Sequence, residues 1–321
     1  MNLSKALEGF LFALQADGYS PSTIALYRLV ISTLADYLNN PEVEAIKPAD
    51  LTRYFAYLRT DYLKTHHAGK PLSGSTLQNH WKGIRCFFRW ALDEFNLKAR
   101  PDEKLKLPPN NPKAIMPLNE EEIKALLLAA EFTREVKPGN RKPFKMRRRN
   151  RARDLAIIVT LLDSGLRAGE LGRLDICDVN LDKGEVYISP FGSSQRKTKS
   201  RTAPIGKAAR RVIWRYLSTA RKEAGKDEPL FISEAGRRMD TNSIRCMLVD
   251  LGSKAGIVNV HPHRLRHTFA VEYLRNGGDV FTLQAILGHS SLDMVRRYVQ
   301  LAQADTQTAH RRASPADKWH L

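Results

Sequence analysis

The chain has 321 residues, of which 42% are hydrophobic, and it carries a formal net charge of +18. A chain of this length usually forms two domains, and without an apolar run near the ~20 residues that cross a bilayer it predicts no membrane segment. Its three cysteines are far apart, which argues against a disulfide framework or zinc site and favours the reducing cytoplasm. The charge indicates a polyanionic partner, most often nucleic acid, although an inert basic surface has the same composition.

The first hundred residues predict four helices. Apolar residues follow a helical period from Ala6 to Leu14, and further helices begin at Ser20-Pro21, at Pro48 and after "SGST". This region is close to electrically neutral, with 12 basic and 9 acidic residues. We therefore expect a small helical bundle whose aromatic side chains form its core and do not line a ligand site.

A proline-rich stretch follows the helical region. Residues 101–117 contain five of the sixteen prolines, and proline opposes both helix and central strand. We expect a helical domain over residues 1–108, a linker over 109–117 and a second domain over 118–321.

The second domain holds most of the positive charge. Residues 101–321 contain 40 basic and 25 acidic residues. Eight of the thirteen residues in 141–153 are Lys or Arg. This run fits a solvated loop and a phosphate-binding loop equally well.

The elements predicted for the second domain are mostly helical. A capped helix begins near Asn119, and a buried helix, "DLAIIVTLLDSG", ends at Gly165. The segments "EVYIS" and "RTAPI" flank the turn "SSQRKTKS" and predict a hairpin, and "PLFIS" predicts a further strand. The expected fold class is mainly α with a small antiparallel β-sheet.

The stretch from residue 261 to residue 298 is rich in groups that bind anions or transfer protons. His263 and Arg266 lie three residues apart in the first turn of a predicted helix, where free backbone N–H groups also favour an anion. His267 either joins that face or packs inward. Tyr298 follows two arginines on a later helix. Taken singly, each signal also has a purely structural explanation.

The order of these signals is specific. An arginine in "GLRAGEL", a lysine in a β-turn, then "HRLRH", "LGH" and a tyrosine nine residues after that histidine make the chain resemble the tyrosine recombinase (phage integrase) family. The resemblance covers nearly the whole chain and implies a helical core-binding domain followed by a catalytic domain. The catalytic residues that it implies are Arg167, Lys197, His263, Arg266, His289 and Tyr298.

The resemblance also implies a role for each residue. Arg167 and Arg266 hold the scissile phosphate, His263 and His289 lie around it, and Tyr298 is the nucleophile. Glu170 supports the first arginine. The catalytic lysine lies on the hairpin turn, where Lys197 is favoured and Lys199 stays open. Candidate DNA contacts are Arg147, Arg148, Arg149, Lys199 and Arg201.

The implied activity is site-specific DNA recombination through a covalent 3′-phosphotyrosyl intermediate. Two guanidiniums stabilise the charge of the transition state, and a turn lysine can protonate the leaving oxygen, so no metal or cofactor is expected. The implied partners are double-stranded DNA, three further copies in a tetramer on two DNA sites, and accessory DNA-binding proteins. A type IB topoisomerase-like enzyme and a catalytically silent DNA-binding relative are the alternatives.

Overall fold

The computed structural model describes residues 1–62, 71–110, 116–133, 144–190, 200–288, 293–302 and 314. These residues belong to two compact units. The described residues up to 110 form the first unit and those from 116 onward form the second.

The first unit contains four α-helices within its described residues, as predicted. Ser20 and Ser73 cap two of them, because each hydroxyl accepts a hydrogen bond from the backbone N–H three residues ahead, at 3.3 and 3.1 Å. The predicted aromatic side chains form the core, in which Phe10, Phe87 and Phe88 are fully buried. The helices are α1 (Leu3–Ala16), α2 (Pro21–Leu38), α3 (Pro48–Arg59) and α4 (Gly74–Glu94).

The chain after α4 folds back onto this unit. Trp81 donates a hydrogen bond to the carbonyl of Leu105, and Gln78 donates one to the carbonyl of Pro108, both at 2.9 Å. Asp102 is fully buried and pairs with Arg100 at 3.3 Å. Residues 101–108 therefore pack with the first unit, and the domain boundary after residue 108 stays a prediction.

The second unit is mainly helical. Its described helices are α5 (Glu120–Glu131), α6 (Arg151–Ser164), α7 (Ala168–Arg173), α8 (Lys207–Ala220), α9 (Thr241–Lys254), α10 (Pro262–Arg275), α11 (Val280–Leu287) and α12 (Asp293–Ala302). A three-stranded antiparallel sheet comprises β1 (Val179–Asn180), β2 (Glu185–Ile188) and β3 (Arg201–Pro204). The mainly α class with a small antiparallel sheet is thus confirmed.

The sheet confirms that the two predicted hairpin strands pair antiparallel, and it contains one further strand. Residues 193–199 of the predicted turn lie outside the described residues. Val186 pairs with Ala203 in the β2–β3 ladder. The two-residue strand β1 extends the sheet on the other side of β2 and is too short to be predicted from the sequence. The strand predicted for "PLFIS" is wrong, since Pro229 and Ile232 form only isolated bridges. Leu230 and Phe231 are buried there, so packing explains the apolar run that suggests a strand.

The packing of α10 brings several elements of the second unit together. This helix contacts α6, α11 and α12, while α11 contacts β3. The ends of α6 and α11 therefore lie near side chains of α10, against which α12 also packs. In the part of the chain that the structure describes, no helix is both long and apolar enough to cross a membrane.

Candidate active site

The turn between α6 and α7 places Arg167 at the edge of the site. Gly165 ends α6 with φ of +62°, and a Cβ there would lie 2.4 Å from the ring of Phe269, so the chain can turn so closely only with glycine. Arg167 then precedes α7, and its side chain is 38% exposed. The turn thus presents one guanidinium toward solvent at the start of a helix.

Glu170 fixes the position of Arg167. One carboxylate oxygen accepts from the Arg167 backbone N–H at 2.8 Å, and the other accepts from its guanidinium at 2.9 Å. Burial raises the pKa of Glu170, but hydrogen bonds and charges from Arg201 and Arg167 outweigh this and hold it at about 2. The carboxylate is therefore ionised at neutral pH, as support of the first arginine requires.

Arg201 completes this ion-pair network from β3. Its Nη1 and Nη2 atoms donate to the two oxygens of Glu170 at 3.0 and 2.9 Å, and its Nε donates to the carbonyl of Ile286 at 2.9 Å. The side chain is only 13% exposed. A DNA contact was predicted for Arg201, whereas each of its guanidinium nitrogens donates within the protein and links β3 to α7 and α11.

Arg266 lies in the interior, on α10. It is 3% exposed, and it donates to the carbonyl of Gly165 at 2.6 Å and to that of Leu287 at 2.8 Å. These carbonyls belong to the ends of α6 and α11, where helix dipoles favour a positive charge. Burial, with the charge of Arg167, lowers the pKa of Arg266 to about 10, so the guanidinium still carries its charge at neutral pH.

Helix α10 also carries two histidines, His263 and His267, near Arg266. His263 is exposed, and its ring centroid lies 6.4 Å from that of His267. Loss of surrounding water lowers the pKa of His263, and the charges of Arg266, His261 and Arg167 add to this. Burial and the neighbouring histidines lower the pKa of His267 to about 4. The ring of His267 is therefore neutral at neutral pH.

Tyr298 contacts this histidine pair from α12. Its side chain is 2% exposed, and its hydroxyl lies 2.7 Å from Nδ1 of His267. Burial raises the pKa of Tyr298, against the opposing charges of Arg266, Arg167 and Arg297. The tyrosine is thus held beside a group of cations that favour its ionised form.

The structure brings together four of the predicted catalytic residues and the predicted supporting acid. Arg167, His263, Arg266 and Tyr298 influence one another electrostatically, and Glu170 binds the first of them. Lys197, Lys199 and His289 lie outside the described residues. The sequence left the side of His267 open, and its contact with Tyr298 was not predicted.

The arginines of the basic run before α6 differ in their surroundings. Arg147 and Arg149 are exposed. Arg148 instead donates to the buried carboxylate of Asp154 at 3.0 Å, and Arg153 binds the same carboxylate at 2.8 Å. The sequence did not separate Arg148 from its neighbours, because its partner lies across the start of α6.

Comparison with known proteins identifies the family. Residues 118–305 match the model of the phage integrase family, and residues 7–95 match that of the phage integrase N-terminal SAM-like domain. Because the first match spans more than half of the chain, the chain belongs to the phage integrase family. It is a tyrosine-type site-specific DNA recombinase.

Individual relatives cover nearly the whole chain. Tyrosine recombinase XerC of Shigella flexneri serotype 5b is 27% identical over 303 residues, which is 93% of this chain and 92% of the relative. The crystal structure of XerA recombinase is 28% identical, with a TM-score of 0.51 over 97% of this chain and 99% of that one. The Tn1549 transposon integrase bound to transposon right end DNA has a TM-score of 0.72 at 17% identity, over 98% of this chain and 100% of that one, and shares the fold.

Proposed function

We propose that this recombinase cuts DNA by attack of the Tyr298 hydroxyl on a phosphodiester. The product is a 3′-phosphotyrosyl bond and a free 5′-hydroxyl, and attack by a 5′-hydroxyl from another strand reverses the step. The bond energy stays in the phosphotyrosyl link, so rejoining needs no ATP. The observation that carries this proposal is the burial of Tyr298 beside the charges of Arg266 and Arg167.

The two arginines have different tasks in this scheme. Arg167 is partly exposed and anchored by Glu170, so it offers donors to a non-bridging phosphate oxygen. Arg266 is held by two carbonyls and supplies a fixed charge to the pentacoordinate transition state. In this scheme the exposed ring of His263 contacts the phosphate. Lys197, as proton donor to the leaving oxygen, and His289 complete the predicted set.

The proposed partner is double-stranded DNA. Related structures include complexes with DNA, among them a lambda integrase dimer bound to a COC' core site. In this chain, the net charge of +18 and the exposed Arg147 and Arg149 favour binding to phosphates. We further propose a tetramer on two DNA sites, assisted by accessory DNA-binding proteins and acting in the cytoplasm.

Covalent capture tests the proposal without knowledge of the target sequence. The protein is incubated with nicked duplexes of random sequence, which trap the intermediate because the cut fragment diffuses away. DNA that stays on the denatured protein is recovered and sequenced. We expect a defined set of captured sequences, which Tyr298→Phe binds without forming an adduct.

Tyr273→Phe is the matched control, because Tyr273 lies on α10 and packs against the apolar cluster that contains Phe269 and Tyr298. It should form adducts as the unaltered chain does. Capture of DNA by Tyr298→Phe, or no capture by the unaltered chain, would contradict the proposal.

A further inference from the structure

We propose that His267 is a catalytic residue that accepts the phenolic proton of Tyr298 as the tyrosine attacks DNA. This inference rests on the proposed function and assigns the one proton that the scheme above leaves unplaced. The contact that carries it is the 2.7 Å separation between Nδ1 of His267 and the Tyr298 hydroxyl. The phenolic oxygen is a reacting atom, so the imidazole touches the chemistry directly.

The geometry suits proton transfer. A general base must lie within hydrogen-bond reach of the proton that it removes, at about 2.6–3.2 Å. The two ring centroids are 5.5 Å apart with the planes inclined by 48°, so the contact is made between ring edges. Tyr298 and His267 belong to α12 and α10, which pack against each other. The helices therefore set the distance, and it does not depend on a surface rotamer.

The pKa shifts of His267 and Tyr298 suit transfer of a proton from the tyrosine to a neutral imidazole. The lowered pKa of His267 keeps its ring neutral at neutral pH, and the raised pKa of Tyr298 keeps its proton in place until substrate arrives. The tyrosine then donates to Nδ1, which places the ring proton on Nε2. The low pKa makes His267 a weak base in the DNA-free chain. A bound phosphodiester adds a negative charge nearby, which favours the imidazolium and strengthens the base.

The step balances in atoms and charge. The phenolic oxygen forms a bond to phosphorus while its proton moves to Nδ1 of His267, which becomes an imidazolium. The bond from phosphorus to the 5′ oxygen breaks, and that oxygen takes a separate proton from Lys197. Rejoining runs in reverse, with the imidazolium returning its proton to the phenolic oxygen.

A purely structural role for the same contact makes different predictions. A residue that only holds the tyrosine is replaceable by another hydrogen-bond acceptor of similar size. The glutamine of His267→Gln still accepts a hydrogen bond but cannot hold a proton. Cleavage is measured in a single turnover on a nicked duplex recovered by covalent capture, after folding and DNA binding are shown to be unchanged.

We expect His267→Gln to slow cleavage by about 10²-fold, the lower end of what general acid–base catalysis contributes. A sulfur in place of the bridging 5′ oxygen should not restore the rate, because a thiolate needs no proton to leave and the defect lies with the nucleophile. A fluorinated tyrosine at position 298, with a lower phenol pKa, should restore most of it. His80→Gln in the first unit, which removes the partner of another tyrosine, should cleave normally.

Three results would overturn the inference: cleavage by His267→Gln at the normal rate, rescue by the sulfur substrate, or no gain from the fluorinated tyrosine. If His267→Gln does not fold, His267→Asn provides the test, because its smaller amide also accepts a hydrogen bond but cannot hold a proton. Cleavage by this variant at the normal rate would overturn the inference. Failure of the proposed function is distinct, since Tyr298→Phe would then still form adducts.

Discussion

The two units of this chain each bury a tyrosine hydroxyl against Nδ1 of a histidine. In the first unit, Tyr54 and His80 lie 2.9 Å apart, and in the second, Tyr298 and His267 lie 2.7 Å apart. Burial lowers the pKa of each histidine to about 4. The hydrogen bond is thus almost the same in the two places, and it does not by itself make a catalytic site.

The surroundings of the two pairs differ. The ring of Tyr54 packs among Tyr37, Phe55 and His80. Burial raises its pKa, and the neighbouring Tyr62, Tyr57 and Asp36 add to this. At Tyr298, three arginine charges oppose the effect of burial. A tyrosine among aromatic rings stays a core residue, whereas a tyrosine beside fixed guanidiniums can become a nucleophile. The neighbouring guanidiniums, and not the hydrogen bond, therefore distinguish the candidate site from the core pair.

Removing the charge of Arg266 should make the Tyr298–His267 pair resemble the Tyr54–His80 pair. We expect Arg266→Ala to slow single-turnover cleavage by about 10³-fold, or about 4 kcal/mol, because the transition state then lacks a fixed charge. Arg266→Lys should recover only part of this, since an ammonium cannot span the carbonyls of Gly165 and Leu287.

Arg85→Lys is the matched control, because Arg85 pairs with buried Asp102 in the first unit. It should change cleavage little. Normal cleavage by Arg266→Lys would contradict a specific role for the guanidinium.

The sequence predicted the outline of this site but not its contacts. Capping residues and glycines are local signals, so the starts at Ser20 and Ser73 and the end at Gly165 were predicted correctly. The contact between His267 and Tyr298 joins residues 31 positions apart and depends on how α10 and α12 pack. Local spacing carries no information about such packing.

The hydrogen bonds from Arg201 to Glu170 could not be predicted from the sequence, for the same reason. Arg201 follows a basic turn, which suggested a DNA contact, while its partner lies 31 residues earlier on α7. The hydrogen bonds from Arg201 to Glu170 give this arginine a partner within the protein, and its predicted DNA contact stays a prediction. Local charge predicted that the region is basic but could not assign each cation to a partner.

The ion pair between Arg201 and Glu170 should give the next largest effect, on the free energy of unfolding. Arg201→Ala leaves Glu170 buried with only Arg167 as its ion-pair partner among the interactions described, so the free energy of unfolding should fall by about 3 kcal/mol. Adding Glu170→Gln should recover part of that loss, because no buried charge is then left uncompensated. Urea unfolding measures both.

The same variant distinguishes a structural role for Arg201 from a DNA contact. If the guanidinium acts within the protein, the salt dependence of DNA affinity should stay unchanged in Arg201→Ala. A shallower salt dependence with normal stability would instead support the DNA contact predicted from the sequence.

The buried histidine of the first unit should appear in the pH dependence of stability. The pKa of His80 is about 4 in the folded chain against an ordinary value of 6.5, so the unfolded chain binds more protons between these values. Its stabilising contribution is therefore complete above pH 6.5 and is lost as pH falls to 4, by on the order of 3 kcal/mol. Urea unfolding of His80→Gln should show a weaker decline over this window than the unaltered chain.

Histidine NMR can distinguish the two tyrosine–histidine pairs. A bound oligonucleotide should raise the pKa of His267, because phosphate lies near it, and should leave that of His80 unchanged. Equal responses at the two rings would argue against a phosphate site beside Tyr298.

The smallest expected effect is a change in the salt dependence of DNA affinity, caused by the arginines at positions 147–149. Arg147 and Arg149 are exposed, whereas Arg148 binds buried Asp154. Changing Arg147 and Arg149 to glutamine should flatten the log–log salt dependence of DNA affinity by about 0.9 for each phosphate that the protein no longer neutralises. Sequence preference should not change, because phosphate contacts carry no base information.

Arg148→Gln is the matched control for this prediction, because it removes one charge from the same run. It should leave the salt dependence unchanged and lower the free energy of unfolding by about 1–3 kcal/mol, since Asp154 then keeps only one of its two arginines. If Arg148→Gln flattens the salt dependence as the change of Arg147 and Arg149 does, surroundings do not separate these arginines and the run binds DNA as a whole. If only Arg147 and Arg149 do so, the burial of its carboxylate partner is what removes Arg148 from the DNA-binding surface.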